Sequence, residues 1–66
     1  MQISVNGETK SVSDGLTVAA LLVHLGIATG RVAVELNRQI VPKATHAAVR
    51  LAEGDRVEIV SFVGGG

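Results

Sequence analysis

Alternating apolar and polar residues at the start of the chain predict a β-strand with one buried face. The apolar positions of this strand are Met1, Ile3 and Val5. The pair Asn6-Gly7 comes next and favours a tight hairpin turn, because both residue types tolerate positive φ angles. We therefore predict an antiparallel second strand over residues 8–13.

The following segment has the periodicity of an amphipathic helix. Four apolar residues follow the i, i+3, i+4, i+7 spacing of one helix face: Val18, Leu21, Leu22 and Leu25. Thr17 precedes them as a helix cap, because its hydroxyl can accept a hydrogen bond from a backbone N–H of the first turn. Gly26 is the candidate terminator. The pattern predicts one helix that begins after Thr17 and ends near Gly26.

The second half of the chain contains three more extended segments. Residues 32–37 alternate as a third strand and lead into a turn at Asn37-Arg38. Residues 40–42 form a short piece at a sheet edge, because Pro42 cannot donate a ladder hydrogen bond. Residues 56–63 form a last strand with apolar residues on both faces, which is typical of the centre of a sheet.

The order strand, strand, helix, strand, short strand, strand predicts an α+β domain. In such a domain one main helix packs across one face of a mixed sheet, here of about four to five strands. This is the order of the β-grasp fold. We assign residues 1–63 to that domain and residues 64–66 to a flexible C-terminal glycine tail.

Composition limits the classes of function. In a chain of 66 residues with 47% hydrophobic residues but one aromatic, the core must be aliphatic, which leaves little room for a ligand pocket. Six basic and six acidic residues cancel without forming a basic run, so no nucleic-acid partner is expected. No apolar stretch reaches about 18 residues, so no membrane partner is expected and a cytoplasmic location is the default.

The candidate chemistry lies in the three glycines that end the sequence. Glycine has no Cβ, so Gly64 and Gly65 could thread into a narrow active site of another protein. The reactive group would then be the carboxylate of Gly66. The chain has no cysteine, so no side-chain thiol can act as a nucleophile or carry sulfur. A frayed or engineered glycine tail is the alternative interpretation.

Other candidate residues are few. His24 and His46 lack a second ligand at metal-ligand spacing, so no metal site is predicted. No glycine-rich loop opens a helix, so ATP binding by this chain alone is not expected. Val60 and Phe62, on the second face of the last strand, are candidate partner contacts, because exposed aromatic and apolar residues often anchor interfaces.

Several short motifs follow one another along the chain. They are Val5-Asn6-Gly7-Glu8, Thr17-Val18 with Leu21-Leu22, Val32-Ala33-Val34-Glu35-Leu36-Asn37, Ile40-Val41-Pro42, Gly54-Asp55, Val57-Glu58-Ile59-Val60 and Phe62-Val63-Gly64-Gly65-Gly66. Taken in this order, they resemble the ThiS family of sulfur carriers in thiamine biosynthesis. The resemblance covers essentially the whole chain. One departure is Lys43, where the family often has arginine, and the positive charge is kept.

The resemblance implies a ubiquitin-like β-grasp domain that is a protein co-substrate and not an enzyme. It implies that a ThiF-like enzyme, using ATP and magnesium, adenylates Gly66. A sulfur donor system would then convert the adenylate to a thiocarboxylate, which supplies sulfur to a ThiG-like thiazole synthase. The chain itself would bind no cofactor.

Three other functions fit the same features. The small subunit of molybdopterin synthase resembles this chain in fold, diglycine ending and thiocarboxylate chemistry. A ubiquitin-like modifier would instead be joined through Gly66 to lysines of other proteins. A plain β-grasp interaction module would bind partners without using the carboxylate at all.

Overall fold

The described part of the chain forms a five-stranded sheet and one α-helix. The structure, a computed structural model, describes residues 1–27 and 29–61. The strands are β1 (Gln2–Val5), β2 (Glu8–Ser11), β3 (Val32–Leu36), β4 (Gln39–Val41) and β5 (Arg56–Ser61), with the helix α1 (Val18–His24) between β2 and β3. Short 3₁₀ helices cover Thr29–Arg31 and Lys43–Thr45. The predictions for residues 62–66 fall outside the described residues and stay predictions.

The sheet is mixed and has the strand order β2-β1-β5-β3-β4. β1 runs parallel to β5, whereas every other neighbouring pair is antiparallel. β5 is central, as its two apolar faces predicted, and β4 is an edge strand, as Pro42 predicted. The α+β prediction is therefore confirmed as a ubiquitin-like β-grasp arrangement with one main helix.

Both ends of α1 carry the predicted caps. The backbone N–H of Ala20 donates to Oγ1 of Thr17 at 3.1 Å, which satisfies one free donor of the first turn. Gly26 adopts φ +72°, and the N–H of Ile27 donates to the carbonyl of Leu22 at 2.9 Å. This is the Schellman arrangement, in which a residue in the left-handed region ends the helix.

The core lies between α1 and one face of the sheet. Its buried hydrophobic residues are Ile3, Val5, Val18, Leu21, Leu22, Val32, Val34, Val41, Leu51 and Val57. Burying one such aliphatic side chain contributes roughly 1.5–3 kcal/mol. All of them are aliphatic, as the composition predicted, and the helix and the sheet both contribute.

Among the residues whose burial the structure describes, one polar side chain, that of His46, is buried with this core. Its Nε2 donates to the carbonyl of Val41 at 3.1 Å, and its own carbonyl accepts from the N–H of Ala19 at 2.9 Å. Within the described ranges, Nδ1 of His46 has no hydrogen-bond partner. His46 thus joins the end of β4 to the start of α1, a structural role that its sequence context did not indicate.

Candidate functional site

β5 is the strand that leads towards the glycine residues. Of the residues predicted to act in function, Val60 is the one the structure describes. Phe62, Gly64, Gly65 and Gly66 lie outside the described residues, so their proposed roles rest on the sequence. Val60 is 54% exposed, which agrees with a role on a surface and not in the core.

The strand register shows which side chains share the sheet face opposite α1. Directly opposite residues of paired strands point to the same side of a sheet. Ala33 pairs with Val60, and Glu35 pairs with Glu58 on one side and with Ile40 on the other. We call these five residues the open face. Their neighbours Val32 and Val34 are buried on the helix side, as the alternation requires.

Asn6 supports β5 beyond the point where β1 ends. Its Oδ1 accepts from the backbone N–H of Ile59 at 2.7 Å, and its Nδ2 donates to the carbonyl of the same residue at 3.3 Å. Its own N–H donates to the carbonyl of Val57 at 2.9 Å. The side-chain amide thus replaces a strand partner for β5 just before Val60.

Replacing Asn6 with glycine should lower the free energy of unfolding by about 1–3 kcal/mol, because the backbone groups of Ile59 lose their partner. Glycine accepts the φ of +51° found at this position, so backbone strain does not contribute. Urea unfolding followed by far-UV circular dichroism measures the change, and Asn6→Asp, which keeps the shorter bond, is the matched control. Unchanged stability and unchanged amide protection at Ile59 would show that the amide contacts do not support β5.

A surface cleft of about 310 Å³ lies between the end of β2 and α1, and it is lined by Ser11, Val12, Ser13, Leu16 and His24. No hydrogen bond joins His24 to either serine in the described part of the chain, so the cleft shows no base-activated nucleophile. Across residues 1–27 and 29–61, no group of three or more acidic or histidine side chains is arranged to hold a metal ion. No helix in these ranges is long and apolar enough to cross a membrane.

Comparison with known proteins assigns the family. The model of the ThiS family matches residues 3–66, which is nearly the whole chain. The chain belongs to the ThiS family. The sulfur carrier protein ThiS of Bacillus subtilis is 37% identical over 65 residues, a match that covers 97% of this chain and 98% of that protein. That relative is, by its name, a sulfur carrier.

A solved structure and longer relatives show the same relationship. The crystal structure of the thiamine biosynthesis protein ThiS from Geobacter metallireducens superimposes with a TM-score of 0.87 at 36% identity, and the match covers 100% of both chains. A thiazole synthase of Paramagnetospirillum magneticum is 48% identical over 66 residues. That match covers 100% of this ThiS-family chain but 20% of the synthase, so the chain spans about a fifth of the length of the first relatives it matches.

Proposed function

We propose that this ThiS-family chain carries sulfur for thiazole formation in thiamine biosynthesis, with the sulfur held as a thiocarboxylate on Gly66. The observation that carries the proposal is the family match over residues 3–66, which includes all three terminal glycines. The absence of cysteine supports it, because the chain offers no side-chain thiol as another sulfur carrier.

The chemistry needs activation, because a carboxylate oxygen is a poor leaving group. In the proposed cycle the Gly66 carboxylate attacks the α-phosphorus of ATP on a ThiF-like partner, which releases pyrophosphate and forms an acyl adenylate. Sulfur at the oxidation level of hydrosulfide, supplied by a donor system, then attacks the acyl carbon. The C–S bond forms, AMP leaves with the electron pair of the C–O bond, and the proton of the resulting thioacid passes to solvent. Covalent carriage divides a difficult transfer into two easier ones. The partner supplies magnesium and the electrostatic stabilisation, and this chain supplies the acyl carbon.

A ThiG-like thiazole synthase is the partner for which the relatives provide support. In the two thiazole synthases of Paramagnetospirillum magneticum and Magnetococcus marinus, the matched 66 residues are part of the synthase chain itself. This arrangement supports a partnership of carrier and synthase, and we propose Val60 of the open face and Phe62 as contacts of this chain. The ThiF-like enzyme, the sulfur donor and a cytoplasmic location are inferences from the sequence.

Intact mass tests the proposal directly. After incubation with the adenylating enzyme, ATP and a sulfur source, followed by a thiol-alkylating reagent, the chain should gain one alkyl group. Oxidation of Met1 changes the mass by nearly the same amount as exchange of oxygen for sulfur. The mass gained on alkylation therefore distinguishes the thiocarboxylate from oxidised Met1. Because the chain has no cysteine, an adduct that disappears when Gly66 is deleted marks the terminal thiocarboxylate.

The outcomes separate the other functions. No adduct, with the enzyme active on a known carrier, contradicts the sulfur-carrier proposal. Isopeptide-linked adducts on lysines in cell extracts would identify a modifier. Sulfur delivery to molybdopterin synthase in place of the thiazole synthase would identify the chain as the small subunit of molybdopterin synthase. A plain interaction module would form no thiocarboxylate, and it would still bind its partner after deletion of the last two glycines.

A further inference from the structure

Two glutamates face each other at the centre of the open face. Glu35 of β3 lies directly opposite Glu58 of β5 in the antiparallel register. The Cβ atoms of such a pair are about 4.5–5.5 Å apart, and like charges in this position destabilise a sheet. In residues 1–27 and 29–61, one ion pair joins two side chains, those of Lys10 and Glu8. The carboxylates of Glu35 and Glu58 therefore have no ion-pair partner within these ranges.

Exposed aliphatic side chains lie beside this acidic pair. Val60, in the next register row of β5, is 54% exposed, and Ile40, opposite Glu35 on the edge strand β4, is 65% exposed. Val23, on α1, is the other strongly exposed large hydrophobic residue in the described ranges, and it lies on the far side of the domain. Arg56, two residues before Glu58 on β5, lines a surface cleft together with Glu58 but forms no ion pair in the described ranges. The open face therefore combines an acidic pair, with one arginine beside it, and a border of apolar surface.

We propose that the open face binds a lysine or arginine side chain of the thiazole synthase, with its cation between Glu35 and Glu58. This inference rests on the proposed function and adds the chemistry of the partner surface. A cation between the two carboxylates replaces their repulsion by two attractions, and a guanidinium can bond both at once. Contacts to Val60 and Ile40 exclude water around the ion pair, which strengthens it.

The position of this surface suits a carrier. Glu58 of the acidic pair lies on β5, the strand that leads to the glycines. The amide of Asn6 supports β5 at Ile59, between Glu58 and Val60. A partner that holds the open face therefore holds the strand from which the tail extends. The charge pair would set the docking orientation, because charged groups at an interface contribute specificity and association rate.

The test compares three neutralised variants of the full chain: Glu58→Gln, Glu35→Gln and the control Glu8→Gln. Isothermal titration calorimetry against the thiazole synthase measures Kd at low and high salt. We expect each open-face variant to raise Kd roughly tenfold at low salt and less at high salt, because each removes one partner of a charge-assisted contact. Glu8 pairs with Val5, whose side chain is buried on the helix side of the sheet, so Glu8 does not belong to the open face. Glu8→Gln makes the same change in net charge and should leave Kd unchanged.

Melting temperature is recorded for the same proteins. Weaker binding at an equal or higher melting temperature supports the proposal, because removal of like-charge repulsion does not destabilise the sheet. Unchanged Kd in both open-face variants overturns it. An equal loss in Glu8→Gln also overturns it, since net charge would then be the cause, and a loss of affinity for the adenylating enzyme alone overturns the assignment to the synthase.

The alkylation assay separates this inference from the function itself. If the unsubstituted chain forms no thiocarboxylate, the proposed function fails. If it forms the thiocarboxylate and binds the synthase, but the open-face variants bind equally well, only the inference about the acidic pair fails.

Discussion

A phenylalanine in place of Gly65 should reduce the rate of conversion to the thiocarboxylate by about 100-fold or more, with no change in melting temperature. The proposed tail must pass through a narrow site, and glycine is the residue without a Cβ to obstruct it. A benzyl group one residue from Gly66 would displace the reacting carboxylate, and a misplacement of about 1 Å can cost about 100-fold in rate. The measurement is the rate of ATP-dependent formation of the alkylated adduct.

Val23→Phe is the matched control for that experiment. It adds an aromatic ring at a helix position that is 76% exposed and lies away from β5, so conversion and stability should both be preserved. Normal conversion of Gly65→Phe would refute the idea that the tail threads into a partner. A clear fall in the melting temperature of Gly65→Phe would instead place Gly65 in the folded domain.

The strands and the helix could be predicted because their determinants are local. Thr17 and Gly26 mark the helix ends through backbone groups within a few residues, and both predictions are confirmed. The second strand ends at Ser11 and not at the predicted residue 13. The reason is also local, because the carbonyl of Ser13 accepts from the N–H of Leu16 in a turn that leads towards α1.

Features that depend on distant residues could not be predicted. The Asn6 amide bonds Ile59 across 53 positions of sequence, although the Asn-Gly pair indicated only a turn. Glu35 and Glu58 look like ordinary polar positions of alternating strands, and only the register of β3 with β5 makes them neighbours. His46 is buried, and its ring donates a hydrogen bond to the Val41 carbonyl. Its Ala-rich sequence surroundings did not indicate this contact.

In the candidate site, too, some features follow from the local sequence and others from strand pairing between distant residues. Exposure of Val60 agrees with its prediction as a partner contact, because an apolar residue on the uncovered face of a central strand has no helix to pack against. Ile40 was predicted only as part of an edge segment, and its place beside Glu35 follows from the β3–β4 register. The role proposed for Gly66 rests on the chemistry of a glycine carboxylate and on the family, since neither alternation nor periodicity applies to a run of glycines.

Truncation of Leu21 to alanine should remove a large part of the free energy of unfolding of the domain. Leu21 is 0% exposed at the centre of the helix face that covers the sheet. Truncating a buried leucine costs about 2.7–5 kcal/mol, through lost transfer free energy and the cavity left behind. A domain of 66 residues has a total stability of about 3–10 kcal/mol, so this one change removes a large part of it.

Urea unfolding measured by far-UV circular dichroism gives the change, because the chain has neither tryptophan nor tyrosine for fluorescence. Val23→Ala, at an exposed position of the same helix, should alter the free energy of unfolding by less than about 0.5 kcal/mol. A loss below about 1 kcal/mol for Leu21→Ala would mean that α1 does not complete the core. Because a carrier must stay folded to be recognised, the same variant should form thiocarboxylate in proportion to its folded fraction, whereas Gly65→Phe should fail while fully folded.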